Sequence, residues 1–441
     1  MGLLSGLKAV VSGKVDANLV LNKPEEVNKK VIKAIAANQL QSLTINYQFC
    51  RRKENGETEQ EYKDWMLDHN PLVMANAVEP IEVIDFKIIL GEQVTSASGM
   101  FYGLRQLKRL GELDTSHVQD MHLMFAGLIS LIKAPHMDTS AVTDMSGMFY
   151  DCSRIAEIPL YTTTLVTDMS SMFDNAVALE KVPLMNTAKV TTMNKMFKGA
   201  KALKLVPLFD TSAVTDMTEM FMGAEALPTI PAFDTSKCEN MWSMFENARQ
   251  LVSVPQLDMS KVKFMNSMFS GAFSLKEIGD FNSVSATDMT DMFCGAKSLT
   301  RVHKIETANV VSMEGMFKGA ESLEEAPDMD TSNVINMASM FEGAKALKKI
   351  PAYNTEKVTS MVAMFKSAES IEEVPLFNTV NLVAMDKMFI NAYNLKVIPY
   401  FNINKVVDVD KISDFLKGTC SMSEPKNIMK WAELLNQRDG T

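Results

Sequence analysis

Residues 138–149 read Asp-Thr-Ser-Ala-Val-Thr-Asp-Met-Ser-Gly-Met-Phe, and residues 210–221 read Asp-Thr-Ser-Ala-Val-Thr-Asp-Met-Thr-Glu-Met-Phe. Counting outward from Phe149 and Phe221, phenylalanine recurs every 24 residues, thirteen times from Phe101 to Phe389, without an insertion. Methionine precedes each one, and in twelve units a second methionine stands four residues before the ring: Met121, Met124 and Phe125; Met145, Met148 and Phe149; Met217, Met220 and Phe221. These two columns hold 25 of the 35 methionines in the 441-residue chain. An excess that could suggest metal or redox chemistry is therefore one phrase written many times.

A unit of 24 residues cannot bury its own apolar face, so the units must stack, each covering the next. Met145, Met148, Phe149 and Cys152 stand at i, i+3, i+4 and i+7, the spacing of one apolar helical face, with Asp144 placed as its cap. Gly, Asn or Asp follows two residues after the phenylalanine in twelve units, as at Gly199 and Asn247, and would end the helix after about two turns. A short extended segment such as Leu203–Pro207 comes next, and then Asp210-Thr211-Ser212, where the aspartate closes a turn. The expected fold is α/β: a solenoid of about thirteen stacked coils, each a short parallel strand plus a short helical turn, which the resemblance given next makes leucine-rich-repeat-like.

The phrase Asp-Thr-Ser-x-Val-Thr-Asp-Met-x-x-Met-Phe resembles the repeat of the BspA-like leucine-rich-repeat surface proteins, a family with phage-encoded members. The resemblance covers roughly residues 89–412 and implies adhesion or protein interaction, with no chemistry. The chain departs from the surface members in showing no signal peptide, lipobox or wall anchor.

Residues 1–88 lie outside the Met-Phe pattern and are expected to form a small α+β domain for docking or capping. A helix start is read at Asn22-Lys23-Pro24-Glu25, with Val27, Val31 and Ile35 on one face. Strands are read at Thr44–Phe49 and along Ile84, Phe86, Ile88 and Leu90, with the charged stretch Arg51–Asp64 as a solvated loop or hairpin. The solenoid is assigned to 89–412. Residues 413–441, with Pro425, Ile428, Trp431, Ala432 and Leu435, are expected to form a C-terminal helical cap.

Five cysteines without framework spacing favour reduced thiols, and a net charge of −10 argues against a nucleic-acid binder. No apolar run is long enough for membrane insertion. His69, His117, His122, His136 and His303 show no zinc spacing, and Cys152 and Cys238 occupy core columns. The carboxylates of Asp114, Asp138, Asp210, Asp234 and Asp258 read as turn residues before calcium ligands. No catalytic residue, cofactor or metal site is expected.

Function then belongs to the variable columns. Lys318, Glu321, Glu324 and Glu325 are followed 24 residues on by Glu342, Lys345, Lys348 and Lys349, and those by Lys366, Glu369, Glu372 and Glu373. The sign reverses at every position, which reads as register control between coils. Ile129, Ile132, Val177, Pro228, Val252, Phe273 and Tyr393 are the candidate contacts with a protein partner. The favoured reading is a non-catalytic phage virion component, a capsid decoration or tail-associated protein assembled in the host cytoplasm, that contacts virion subunits or a host surface receptor. A bacterial cell-surface adhesin and an intracellular interaction scaffold are the alternatives.

Overall fold

The computed structural model describes residues 16–399 together with 401, 402, 405, 406 and 419; the expected helix of residues 413–441 lies outside the described residues. The chain forms two compact units, Met1–Val214 and Thr215–Thr441. Both are built from stacked 24-residue coils.

The coils are joined at two positions, one in nearly every coil and one in only some of them. Five residues before each phenylalanine a parallel bridge joins consecutive coils, as in Asp120 to Asp144 to Asp168 in the first unit and Asn240 to Phe264 to Asp288 in the second. Eight residues after the phenylalanine a second parallel ladder runs through Lys133 to Glu157 and Lys181 to Leu205, and through Glu325 to Lys349 and Glu373 to Val397. Most of these contacts are single bridges; between Phe125 and Phe389 one lengthens into a strand pair, β7 (Glu277–Ile278) with β8 (Arg301–Val302).

The segment expected to be a two-turn helix is not one. Met148, Tyr150 and Cys152 donate their N–H groups three residues back, to the carbonyls of Met145, Gly147 and Phe149, at 2.9–3.2 Å. The alternate residues Met145, Gly147, Phe149 and Asp151 instead donate to Asp168, Ser170, Met172 and Asp174 of the next coil, at 2.7–3.1 Å. This division requires left-handed backbone two residues before and two after the phenylalanine: φ is 59° at Gly147 and 56° at Asp151. An α-helix would satisfy its interior N–H groups internally and leave none to tie the coils together. Each inter-coil bond contributes a net ~1 kcal/mol, so the four made around Leu123, from Met121, Leu123, Phe125 and Gly127, together outweigh the ~1–2 kcal/mol of placing that leucine in the left-handed region.

The repeat phrase can be decoded position by position. Asp138 Oδ1 accepts the Ser140 N–H at 2.9 Å, and Asp210, Asp234 and Asp258 do the same for Ser212, Ser236 and Ser260. The intervening threonine is buried, and its hydroxyl donates to the carbonyl 23 residues on: Thr139 to Thr162, Thr187 to Asp210, Thr331 to Asn354. Asp144 Oδ1 accepts the Ser146 N–H at 2.8 Å, which closes the turn that carries the Met-Met-Phe triplet inward. Inside, the phenylalanines form ring stacks. In the first unit Phe101, Phe125, Phe149, Phe173 and Phe197 follow at 5.2–5.8 Å, and in the second Phe221 to Phe389 follow at 5.4–5.7 Å. Interplanar angles of 1–12° make these offset stacks, worth ~0.5–1.5 kcal/mol per pair beyond area burial. The methionines fill the space around them and are almost fully buried.

The amino-terminal region departs from the expected separate domain. β1 (Asn18–Leu21) pairs in parallel with β2 (Ser42–Ile45) at an offset of 24 residues, so the repeat length is already in force there. β2 continues to β4 (Lys87–Leu90) and β4 to β6 (Leu113–Asp114) in one four-stranded parallel sheet. The expected boundary at residue 88 falls inside β4, and the same sheet lies on both sides of it. A second pair, β3 (Val83–Ile84) with β5 (Arg109–Leu110), flanks it. The helix α1 (Lys29–Ala36) is capped by Asn28 and not by Asn22, whose neighbourhood forms only the 3-10 turn Pro24–Glu26. Between β2 and β4 the offset is 45, which makes room for an inserted pair of helices, α2 (Glu59–His69) and α3 (Pro71–Val78). The stretch expected as a loop or hairpin therefore ends in the capping box of α2, where Thr58 Oγ1 accepts the Glu61 N–H and Glu61 accepts that of Thr58.

Candidate interaction surface

Coil stacking puts every residue beside those 24 before and after it, so surface columns become ladders. Lys345 Nζ lies 3.0 Å from Glu321, Lys348 Nζ 2.9 Å from Glu324 and Lys349 Nζ 2.7 Å from Glu325. Glu372 receives Lys396 at 2.6 Å. Glu342, only 17% exposed in its side chain, is held between Lys318 and Lys366 at 3.1 and 2.8 Å. Burial alone would raise its carboxyl, but the two lysines and Ser339 outweigh that and hold it below the usual range. Glu369 and Glu373 make no ion pair among the described residues. Exposed pairs of this kind contribute little singly; what they supply is a penalty on any stacking shifted by one coil.

One of the candidate contacts belongs to such a ladder. Phe273, in the second unit, stands between Arg249 and Lys297, each 5.6 Å from its ring centre. Arg249 reaches back to Glu225, and Lys297 reaches forward to Glu321. The column thus runs acid, cation, ring, cation, acid, cation from Glu225 to Lys345. Phe273 is a rung that links cations through its two faces, worth ~0.5–1 kcal/mol per contact. Ile132, Val177, Val252 and Tyr393 are exposed at 36–46%, and Ile129 is half-buried. They occupy two different columns and are spread over both units, so the structure does not gather them into one patch.

The largest exposed apolar side chains lie elsewhere. Leu160, Leu184 and Leu208 occupy one column of three consecutive coils in the first unit and are 71%, 62% and 63% exposed. Each follows a proline, Pro159, Pro183 or Pro207, and each precedes an inward residue, Tyr161, Met185 or Phe209. The signal was present as Pro-Leu repeated at a spacing of 24. Leu205 is 63% exposed, and Leu376, in the column of Leu160 but in the second unit, is 72% exposed. In the second unit Trp242 and Phe264 are 43% and 49% exposed. Phe264 stands where every other coil but that of Ala384 places Asp, Asn, Ser or Thr, so its coil gives up the side-chain cap that Asp288 supplies to Thr290.

The thiols of Cys152 and Cys238 are pushed up to about 12 by burial, and Cys152 Sγ donates to the Phe125 carbonyl. His69 is stacked on Trp65 and its Nδ1 lies 2.8 Å from the Trp65 carbonyl. Among the described residues no three His, Cys, Asp or Glu side chains converge as metal ligands, and no helix is long and apolar enough to cross a membrane.

Parallel bridges between coils, a buried ring stack and ladders of exposed side chains define a repeat solenoid of the leucine-rich-repeat kind. The family model described as "Mycoplasma protein of unknown function, DUF285" matches residues 95–206, 180–278, 250–349 and 325–431, and the chain belongs to that family. Among solved structures, a leucine-rich repeat protein from Bacteroides ovatus is similar at 15% identity and a TM-score of 0.39, covering 72% of this chain and 81% of that one. A leucine rich cell surface protein from Faecalibacterium prausnitzii is 17% identical over 66% of this chain and 82% of its own, with a TM-score of 0.36. A leucine-rich repeat protein from Eubacterium ventriosum is 12% identical over 85% and 89%, with a TM-score of 0.37. No curated protein matches the chain.

Proposed function

We propose that the chain is a non-catalytic interaction protein of the bacterial-surface type, in which a flank of the coil stack docks a protein partner. The observation that carries this reading is the stacked row Leu160, Leu184 and Leu208. Burying one leucine completely contributes ~1.5–3 kcal/mol, so three in register form an anchor that a folded chain would not otherwise leave in water. In this reading thirteen Met-Phe coils form the body, the sheet and helices ahead of Phe101 cap one end, and residues 413–441 cap the other. The charge ladders keep the coils in register. The resemblance of the repeat to BspA-like surface proteins supports the surface placement. The virion placement expected from the sequence has no such support: neither the matching family model nor the similar structures carry a phage description.

The test is protease treatment of intact source cells, followed by quantification of the chain. Loss of the chain from intact cells is the expected result; full protection until the cells are opened overturns the surface placement. Photo-crosslinking groups placed at Leu184 and Leu208 should each capture one and the same partner protein, and a group at Lys396 should not. Equal capture at all three sites overturns the assignment to the leucine row.

A further inference from the structure

The segment inserted between β2 and β4 lies outside the 24-residue pattern, and two of its residues, Arg52 ahead of α2 and Lys63 on it, line one side of a cleft of about 730 Å³. Arg52 and Lys63 of the inserted segment face Tyr102, His122, Tyr150 and Asp168 of the coils across this cleft. From these observations, we propose that the cleft is a binding site for a neutral polyhydroxylated ligand, an oligosaccharide, distinct from the leucine row.

Its electrostatics favour an uncharged ligand. The Arg52 guanidinium is spent on two carboxylates, with Nε 3.0 Å and Nη2 2.9 Å from Asp120 and a further bond from Nη2 to Asp144. Lys63 and Asp168 then balance, so the lining carries no strong net charge.

Its hydrogen-bonding groups are fixed in advance. The Ser146 hydroxyl gives its one proton to Asp144 Oδ1, and Ser146 Oγ lies 2.7 Å from His122 Nδ1. Nδ1 must therefore carry the ring proton, which leaves Nε2 as a bare acceptor with no partner among the described residues. Burial, aided by Arg52, lowers the His122 pKa and keeps the ring neutral near pH 7. The other coils place Ser, Asn, Thr or another non-histidine residue in this column, so the imidazole is a local specialisation.

Its apolar faces are spaced. Tyr102 and Tyr150 each follow a ladder phenylalanine, two coils apart, and the coil between them carries the buried Ala126 in that position. At ~4.8 Å per coil, the two tyrosines flank a notch about 10 Å across at the backbone, where a pyranose ring can lie against an aromatic face while its hydroxyls reach Nε2 and Asp168. Tyr150 is 40% exposed, although the rows on either side of it are buried. Pockets of this mixed lining bind through a few placed polar groups and an apolar wall.

The experiment is titration of the full chain with cellohexaose, chitohexaose, maltohexaose and mannohexaose, and with a sulfated hexasaccharide as the charged comparison, followed by calorimetry and saturation-transfer NMR. At least one should bind with a dissociation constant at or below about 1 mM. Binding should weaken about tenfold in Tyr150→Ala and in His122→Phe, which keeps the ring volume and removes the acceptor. It should be unchanged in Trp242→Ala and in 0.5 M salt. Circular dichroism of each variant establishes that the fold persists. Three outcomes overturn the proposal: no hexasaccharide binds, binding survives in both cleft variants, or only a sulfated oligosaccharide binds and salt abolishes it. None of them bears on the cell-surface test above.

Discussion

The left-handed residues on either side of each phenylalanine give a prediction whose sign separates the observed turn from a helix. Gly343 has φ 71°, and a Cβ built there meets only Gly319 backbone at 3.7–3.8 Å, ordinary contact, so Gly343→Ala isolates the backbone conformation. Alanine in the left-handed region costs ~1–2 kcal/mol, partly offset by the ~0.4–1 kcal/mol that Gly→Ala contributes through the unfolded chain. The net expectation is a destabilisation of ~0.5–1 kcal/mol. Ala363 is the mirror case: it already sits at φ 53°, so Ala363→Gly should be neutral to stabilising by ~1 kcal/mol. A helix would reverse both signs, since Ala exceeds Gly there by ~1 kcal/mol. The assay is urea unfolding of the full chain followed by far-ultraviolet circular dichroism, with amide exchange at residues 337–365 as a local readout should unfolding depart from two states. A stabilised Gly343→Ala together with a destabilised Ala363→Gly would refute the alternating hydrogen-bond scheme.

Thr331→Val removes the buried hydroxyl that donates to Asn354 at 2.8 Å and should cost ~1–2 kcal/mol, with Thr331→Ser recovering most of it; equal urea midpoints for the three proteins would show that the threonine ladder is idle. Reversing Lys345, Lys348 and Lys349 together to glutamate should lower the midpoint more than reversing Lys237, Lys261 and Lys276, which have no ion pair among the described residues, and the gap should close in 1 M salt. The turn carboxylates of Asp138, Asp234, Asp258 and Asp330 are held below their ordinary pKa by the serine two residues on, through its N–H and hydroxyl. Folded values below unfolded ones mean this stabilisation is complete above the ordinary carboxylate pKa of ~4 and is lost as pH falls through the folded values. Asp330→Asn, which keeps an acceptor for Ser332, should flatten the acid limb of a midpoint-versus-pH curve measured between pH 2 and 6. Cys152 and Cys238 should resist thiol reagents in the native state and react on unfolding, because burial holds both thiols near 12.

The coil length and its buried columns are legible in the sequence because the same side chains recur: Met145, Met148 and Phe149 have no alternative to the interior. The conformation of the segment that carries them is not legible. Spacing at i, i+3, i+4 and i+7 fits an α-helix and also a run of three-residue turns, and what decides is where the N–H groups of Gly147 and Phe149 go. That choice leaves no mark on the column two before the phenylalanine, where Leu123, Lys195 and Glu219 adopt positive φ under tension from the next coil. At the amino terminus the marker ring is absent, although Asn18-Leu19-Val20-Leu21-Asn22 and Ser42-Leu43-Thr44-Ile45-Asn46 already stand 24 apart. Their Asn22 and Asn46 side chains pair at 2.9 Å. Among the surface residues, Ile129, Ile132 and Val177 were visible as apolar residues in variable columns, but the exposed row at Leu160, Leu184 and Leu208 hid behind its regularity, since leucine in a fixed column reads as core. The cleft was beyond reach because it depends on Arg52 of an insertion meeting Asp120 and Asp144, 68 and 92 residues away.

Contacts at offsets of 23, 24 and 25 residues also bear on how such a chain can change over time. A gene segment of 72 nucleotides, wherever its ends fall within the repeat, encodes a piece whose removal or duplication leaves the remaining neighbours facing partners of the same type. Unequal recombination between similar repeats would therefore yield folded products that differ in length by about 4.8 Å per coil. A deletion whose size is not a multiple of 72 nucleotides would rotate phenylalanines out of the stack. The alternating charges at Glu321, Lys345 and Glu369 set a stricter rule for the second unit: there, gain or loss of two coils preserves the order of signs, and gain or loss of one does not.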